Sequence, residues 1–409
     1  MQIYILDAEY NSVGMIDESE SVLWRKRYND AGECEIYLPC DDAHLGILRR
    51  GHYLYRYDDD MFCKVETVEI ETDVETGDYI IATARDICTI LSGRIVRWQT
   101  VYSGTVAGFI ERLLIDNATR PTYPADITLA DGTVKKKGDL HEQRQIANLE
   151  IDTSNFAELT DPIEVSAFTD DLLQRIVATC KAYGYGFRVS FNMETHTLSF
   201  RLYKGKNKSD PTGEEYVEFS PEYANILASH YAEDESNYKN LAYVGYKGTD
   251  EQTHLLSYYN GDKEPTGEER REIYIDGTGT SRDITYDELA QMFPSVTKNG
   301  NQYTAGGVVV ATSEGTGDDE KITVSDSTYL LLIRALGVNA LADHARTREF
   351  TGSVDTIDTY EYKTDYDLGD IVNVANDYGI STPAQIVDIL ESDDNEDGHM
   401  VEPTFEYLN

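Results

Sequence analysis

Near the C-terminus, Asp393-Asp394-Asn395-Glu396-Asp397-Gly398 sets side-chain oxygens on alternate residues ahead of a glycine, the D-x-N-x-D-G pattern that opens a calcium loop. Oxygen ligands suit a hard cation and the glycine permits a sharp turn, so Asp393, Asn395 and Asp397 are the candidate metal ligands, for Ca²⁺. Loop position twelve, where a bidentate Glu closes the shell, is Thr404. The flanks 384–391 and 401–407 alternate like strands, and the competing reading is a hairpin turn with solvated carboxylates and no cofactor. His141-Glu142 lacks a second histidine at helical spacing and reads as a surface pair. The run Lys135 to Lys137 lies between acidic neighbours and reads as a solvated turn rather than a phosphate cradle.

Other catalytic signatures are missing. The chain has no G-x-S-x-G, H-E-x-x-H, P-loop or G-x-G-x-x-G; Gly184/Gly186, Gly277/Gly279 and Gly315/Gly317 each lack the third glycine. Carboxylates are so numerous that spacing singles out no glycosidase-like acid pair. Cys34, Cys40, Cys63, Cys88 and Cys180 are odd in number and form no C-x-x-C, so reduced thiols serving as small apolar residues are expected. No catalytic residue is assigned, and the chain is not expected to be an enzyme.

Asp and Glu number 75 against 35 Lys and Arg in 409 residues, a formal charge of −40. Proteins that bind duplex DNA or anionic lipid draw affinity from Lys and Arg, so this balance argues against both partners. Thirty Tyr beside 11 Phe and 2 Trp suit half-buried strands whose hydroxyl ends meet water or a partner. No apolar run approaches the roughly 18 residues of a membrane helix. Asp7 and Glu9 precede any basic residue, the reverse of a signal peptide, and assembly in a cytoplasm is expected.

The elements that must position these groups are mostly strands. Residues 3–6, 21–28 and 33–39 are strand-like, followed by 53–57, 61–71 and 78–84, with a bulge predicted where the apolar phase slips between Val65 and Val68. Val106, Phe109, Ile110, Leu113 and Leu114 mark a helix packed on the sheet, and 117–161 reads as loop-rich. A second helix is predicted over 170–183, with Thr169 as N-cap and Gly184 as terminator, leading into two alternating strands that make 168–203 a small α+β unit. Thr285-x-x-Glu288 is a capping box for a short helix. The stretch 294–325 reads as an inserted loop or hairpin, and 327–348 as the longest helix, weakened at Gly337. The expected domains are 1–160, barrel-like with one packed helix; 161–216, helix plus hairpin; 217–348, β-rich with the insertion and the long helix; and 349–409, C-terminal strands completing a barrel.

Six segments in order, LWRKRYNDAGECEIYLP (23–39), DYIIATARDICTILSGRIV (78–96), FSPEYANILASHYAEDESNYKNLAYVGY (219–246), REIYID (271–276), YDLGDIVNV (366–374) and AQIVDILESDDNEDGHMVEPTFEY (384–407), resemble the tail-tip hub proteins of long-tailed bacteriophages. These are related to the contractile-phage baseplate hub and to the N-terminal part of tail-associated lysins. The resemblance implies a β-rich α+β fold of β-barrel-like domains with smaller α+β domains. It also implies a homotrimeric ring beneath the distal tail protein, meeting tape-measure and fibre or receptor-binding proteins and closing the tube until DNA is ejected. Three copies would carry three times the −40 charge, and DNA would pass an acidic lumen without specific binding. The sequence departs from the family pattern at Cys34, where an aromatic residue is common, and in its enlarged 294–325 segment. Relatives often continue into a peptidoglycan-cleaving extension; this chain ends at Asn409, and lytic activity is not expected. The alternative is a tail-associated receptor-binding or cell-wall-degrading protein.

Overall fold

Along Ser21–Arg27 and Glu33–Pro39, Val22, Trp24, Cys34, Ile36 and Leu38 turn inward while Leu23, Glu35 and Pro39 face out, so period-two alternation builds the centre of the largest sheet. The computed structural model describes all residues except 18, 74–76, 98–99, 124–125, 130–131, 168–169, 214, 224, 262, 294, 316–319, 355–359, 377, 379–380, 395–397 and 408–409. From those two strands the sheet continues through Gly77–Asp86, Cys63–Asp73, Tyr53–Tyr55 and Ile3–Leu6 to Ser12–Ile16. In the other direction it passes through Ser381–Asp394, Gly398–Tyr407 and Thr347–Val354 to Ile226–Asp234. Its central seam joins the two ends of the chain, with Asp388–Asp394 antiparallel to Ser21–Arg27. Among the described residues the two end strands of this path do not pair with each other. The fold is strand-rich α+β, as expected. The register shifts between Val65 and Thr67, which is the bulge the apolar slip predicts.

Among the described residues five α-helices accompany the strands. Helix α1, Asp42–Ile47, is capped by Asp41, which accepts from the His44 amide at 2.7 Å. It buries no residue and has no apolar stripe to betray it in the sequence. Helix α2, Val106–Leu114, buries the predicted apolar face, and the Thr105 side chain caps it. Helix α3, Leu172–Tyr183, starts later than predicted. The Val96 amide donates to the Asp170 carbonyl and the Leu172 amide to the Arg94 carbonyl, holding this entry extended. Asp171 takes the cap, accepting from the Gln174 amide at 3.0 Å, and Thr169 lies outside the described residues. Helix α4, Tyr286–Met292, carries the predicted capping box.

Helix α5, Asp326–Ala342, stops short of the predicted 348 because the chain from Thr347 enters a strand paired on both sides. Gly337 proves to be a fit rather than a weakness. A Cβ there would lie 3.2 Å from Tyr258 Cβ and Val244 Cγ2, so the glycine lets α5 sit close against the strands Leu241–Lys247 and Thr253–Tyr259. The stretch 294–325, read as an inserted loop or hairpin, contains Thr297–Asn299, Gln302–Ala305, Val308–Glu314 and Lys321–Val324, successive antiparallel strands that form a five-stranded sheet with Asp283–Ile284. This sheet shares its core with α4 and α5 through Leu289, Tyr303, Ala311 and Ile333. Within the stretch read as loop-rich, Leu149–Asp152 is a strand parallel to Thr197–Tyr203.

All five cysteines are free thiols, and burial pushes Cys34, Cys63, Cys88 and Cys180 up, so they are inert at neutral pH. Among the described residues no helix is long and apolar enough to cross a membrane.

The fit at Gly337 is measurable. Gly337→Val overpacks the helix–sheet contact and is expected to destabilise by about 1–3 kcal/mol in urea unfolding. Leu331→Gln, on an exposed face of the same helix, is expected to change stability by less than about 0.5 kcal/mol.

Candidate functional site

Three consecutive aspartates follow the strand Tyr53–Tyr55, and the side chain of the middle one is buried completely. Asp59 Oδ1 accepts from Trp24 Nε1 at 3.2 Å and from the Met61 amide at 2.9 Å; Oδ2 accepts from Lys26 Nζ and Lys363 Nζ, each at 2.7 Å. Burial alone would raise this carboxyl, but the two ammonium groups overcome that and hold it far below the ordinary carboxylate range. Lys26 is buried because the alternation that turns Val22 and Trp24 inward turns the next residue two positions on inward too. Its ammonium lies 5.0 Å from the centre of the Tyr362 ring.

Beside this node, Arg56 bridges Asp58 at 2.7 Å and Glu391 at 3.0 Å, with its guanidinium 5.2 Å from the Trp24 ring centre. Glu391 and Asp388 both lie on Ser381–Asp394, and Asp388 pairs with Arg25 at 2.8 Å. Burial raises the Asp388 carboxyl, with Arg25 and Arg27 opposing it. Ion pairs therefore fasten the central seam from both faces of its strands.

Arg188, 5% exposed on Gly186–Asn192, approaches from the α+β unit. Its Nη1 is 3.4 Å from Asp86 Oδ2, while its Nε is 3.7 Å from Asp60 Oδ2 and makes no hydrogen bond. Arg188 and Asp60, with Tyr57, Arg201, Lys204 and Asp367, border an open cavity of about 670 Å³. Burial raises the Asp367 carboxyl. Tyr28 supports the floor of this junction. Its hydroxyl donates to the Gly184 carbonyl at 3.1 Å and accepts from the Gly205 amide at 3.2 Å. A Cβ on Gly186 or Gly369 would fall 2.2 Å from the Tyr28 ring, so glycine at both positions makes room for it.

The charged cavity was not predicted. Asp58 to Asp60 fall between two predicted strands, 53–57 and 61–71, and Lys26, Arg188 and Lys363 carry no motif. The readable signal was a lysine at an inward position of an alternating strand, which demands a buried partner. Of the predicted metal ligands, Asp393 pairs with the Met1 α-amino group and stands in strand register opposite Val22 and His399. Asn395 and Asp397 lie outside the described residues. Among the described residues no group of three or more His, Cys, Asp or Glu is placed to hold a metal. His141 stacks on Tyr123 with ring centres 4.3 Å apart, and Lys136 pairs with Asp126 at 2.6 Å.

A family model described as Siphovirus ReqiPepy6 Gp37-like protein matches residues 2–405. No curated protein matches the sequence significantly. Among solved structures, the chain is similar to the tail protein from Neisseria meningitidis MC58, at 11% identity over 99% of this chain and 95% of that one, with a TM-score of 0.48. It is also similar to prophage tail protein gp18 from Listeria monocytogenes EGD-e, at 13% identity, 99% and 94% coverage and a TM-score of 0.47. The 43 kDa tail protein of prophage MuSo2 from Shewanella oneidensis gives 10% identity, 99% and 98% coverage and a TM-score of 0.47.

The Asp59 node yields a prediction with a definite sign. Asp59→Asn leaves two ammonium groups against a neutral partner and is expected to cost about 3–5 kcal/mol in urea unfolding at neutral pH. Lys363→Ala, which removes a partly exposed cation and leaves Lys26 in place, is expected to cost less, about 1–2 kcal/mol. Because the folded Asp59 carboxyl lies below its ordinary 3.8, its contribution is complete above that pH and is lost as pH falls toward the folded value. The stability gap between the wild type and Asp59→Asn should therefore narrow on acidification below that point.

Proposed function

The chain belongs to the Siphovirus ReqiPepy6 Gp37-like family of phage tail proteins, and from that premise we propose that it forms the hub of a tail tip, closing the tail tube and supporting host attachment and DNA ejection. The observation that carries this reading is the span of the family match, 2–405, which takes in nearly every element described above. In the proposed assembly three copies form a ring in the virion. The ring contacts the distal tail, tape-measure and fibre or receptor-binding proteins, and is put together in the host cytoplasm.

Physical features support a role in assembly. Tyr57, Tyr274 and Leu255 are 67%, 59% and 60% exposed, and large rings and aliphatic groups of this kind supply the central contacts of protein interfaces. The −40 charge disfavours retention of DNA, since a wall poor in cations releases few phosphate counterions. On this reading the chain makes and breaks no covalent bond.

Antibody-gold labelling of purified virions tests the placement. Label confined to the tail tip, together with a trimer mass by light scattering, is expected. Label distributed along the tube, or no label on virions, overturns the hub assignment. Incubation with host cell walls is expected to release neither sugar nor peptide; release would favour the cell-wall-degrading alternative.

A further inference from the structure

We infer that the cavity beside Asp60 is a binding site for a carboxylate, presented either by a free small molecule or by an acidic side chain of another protein. Five cationic side chains and four carboxylates line it, in a chain where acids outnumber bases 75 to 35. Internal pairing then removes charges from both sides of that balance. Asp59 is committed to Lys26 and Lys363, and both oxygens of Asp58 accept from Arg56. Arg188, Arg201 and Lys204 complete the cationic lining, partnered from outside it by Asp86, Asp152 and Asp161, and share the cavity with Asp60 and Asp367.

Within this lining Arg188 is the built element. It is 5% exposed, Asp86 fixes its Nη1 edge, and its Nε–H is buried without a hydrogen-bond partner. An unsatisfied buried donor on a cation is costly, and a planar carboxylate is the acceptor that suits a guanidinium edge. Asp60 is the resident counter-charge, but it sits too far away to hydrogen-bond, at 3.7 Å from Arg188 and 3.9 Å from Lys26, and it is 60% exposed. An incoming carboxylate displaces it toward water. Arg201, 58% exposed at the rim, is held only by the long pair with Asp152 at 4.0 Å. Lys204 is held by Asp161 and lies 4.5 Å from the centre of the Tyr185 ring. Tyr57, 67% exposed, adds an apolar wall for the carbon skeleton that carries the carboxylate.

Isothermal titration of the full chain with citrate and with hexaglutamate tests the assignment, with inorganic phosphate as the comparison. At least one of the two carboxylate probes is expected to saturate the protein at one site. Asp60→Asn, which removes the competing charge while leaving Arg188 in place, is expected to tighten binding roughly tenfold, and Arg201→Ala to weaken it several-fold. Both substitutions lie at exposed side chains, so folding is preserved and can be verified by unchanged urea midpoints. Citrate binding without hexaglutamate binding identifies a free small carboxylate as the source; tighter hexaglutamate binding identifies a protein segment. Absence of saturable binding by both probes, unchanged affinity in Asp60→Asn, or phosphate binding as tight as carboxylate binding overturns the proposal.

Discussion

A carboxylate that must stay ionised where no water reaches it constrains this fold more than any other group. Asp59 has a side-chain exposure of zero and two ammonium groups on one oxygen. Desolvating such ions costs several kcal/mol each, and only close geometry with every lone pair engaged offsets it. The four donors come from residues 24, 26, 61 and 363, so the offset exists only when an N-terminal strand, the turn after Tyr55 and the segment before Tyr366 are in one arrangement. A one-residue slip of Ser21–Arg27 would turn Trp24 and Lys26 outward and strand the carboxylate. The node therefore specifies register. Its net contribution to stability is a separate and smaller matter.

The same logic extends along the seam. Pairing of Ser381–Asp394 with Ser21–Arg27 joins strands more than 350 positions apart, a contact with a high loop-closure cost. Arg56–Glu391 inside and Arg25–Asp388 outside both require the observed register. Tyr28, immediately beyond the seam strand, completes the arrangement sterically, because its ring occupies space that side chains on Gly186 and Gly369 would fill. Charge and close packing thus specify the same docking of the α+β unit and the C-terminal strands.

Local pattern made the elements legible. Helix α2, the bulge after Val65, the capping box at Thr285 and the terminal hairpin followed from periodicity or cap chemistry alone. Misreadings arose where tertiary pairing overrode local preference. Helix α5 yields to a strand at Thr347 that is paired on both sides, and α3 begins late because its entry bonds to residues 94 and 96. Gly337 looked weak because propensity ignores the sheet that approaches it. The charged cavity was least legible, since Lys26, Asp59, Arg188 and Lys363 come from four distant segments. The most recognisable motif, Asp393 to Gly398, offers only Asp393 among its three proposed ligands for inspection, and that residue pairs with the chain's first amino group.

Charge is distributed unevenly between core and surface. Among the described residues the buried charged side chains are Lys26, Arg56, Arg188 and Lys208 against Asp59, Asp86, Asp370, Asp388 and Glu391, a nearly even balance. Among the described residues the acidic excess therefore resides on exposed and half-exposed groups. Surfaces of one sign repel when copies approach, with a range near 8–10 Å at physiological salt. Interfaces between such chains must either bury apolar and aromatic groups at close quarters or seat acidic groups in cation-rich recesses. Exposed Tyr274 and Leu255 are groups of the first kind. Because screening weakens the repulsion while leaving apolar burial nearly intact, association of this protein should strengthen as moderate salt is added, opposite in sign to association through surface ion pairs.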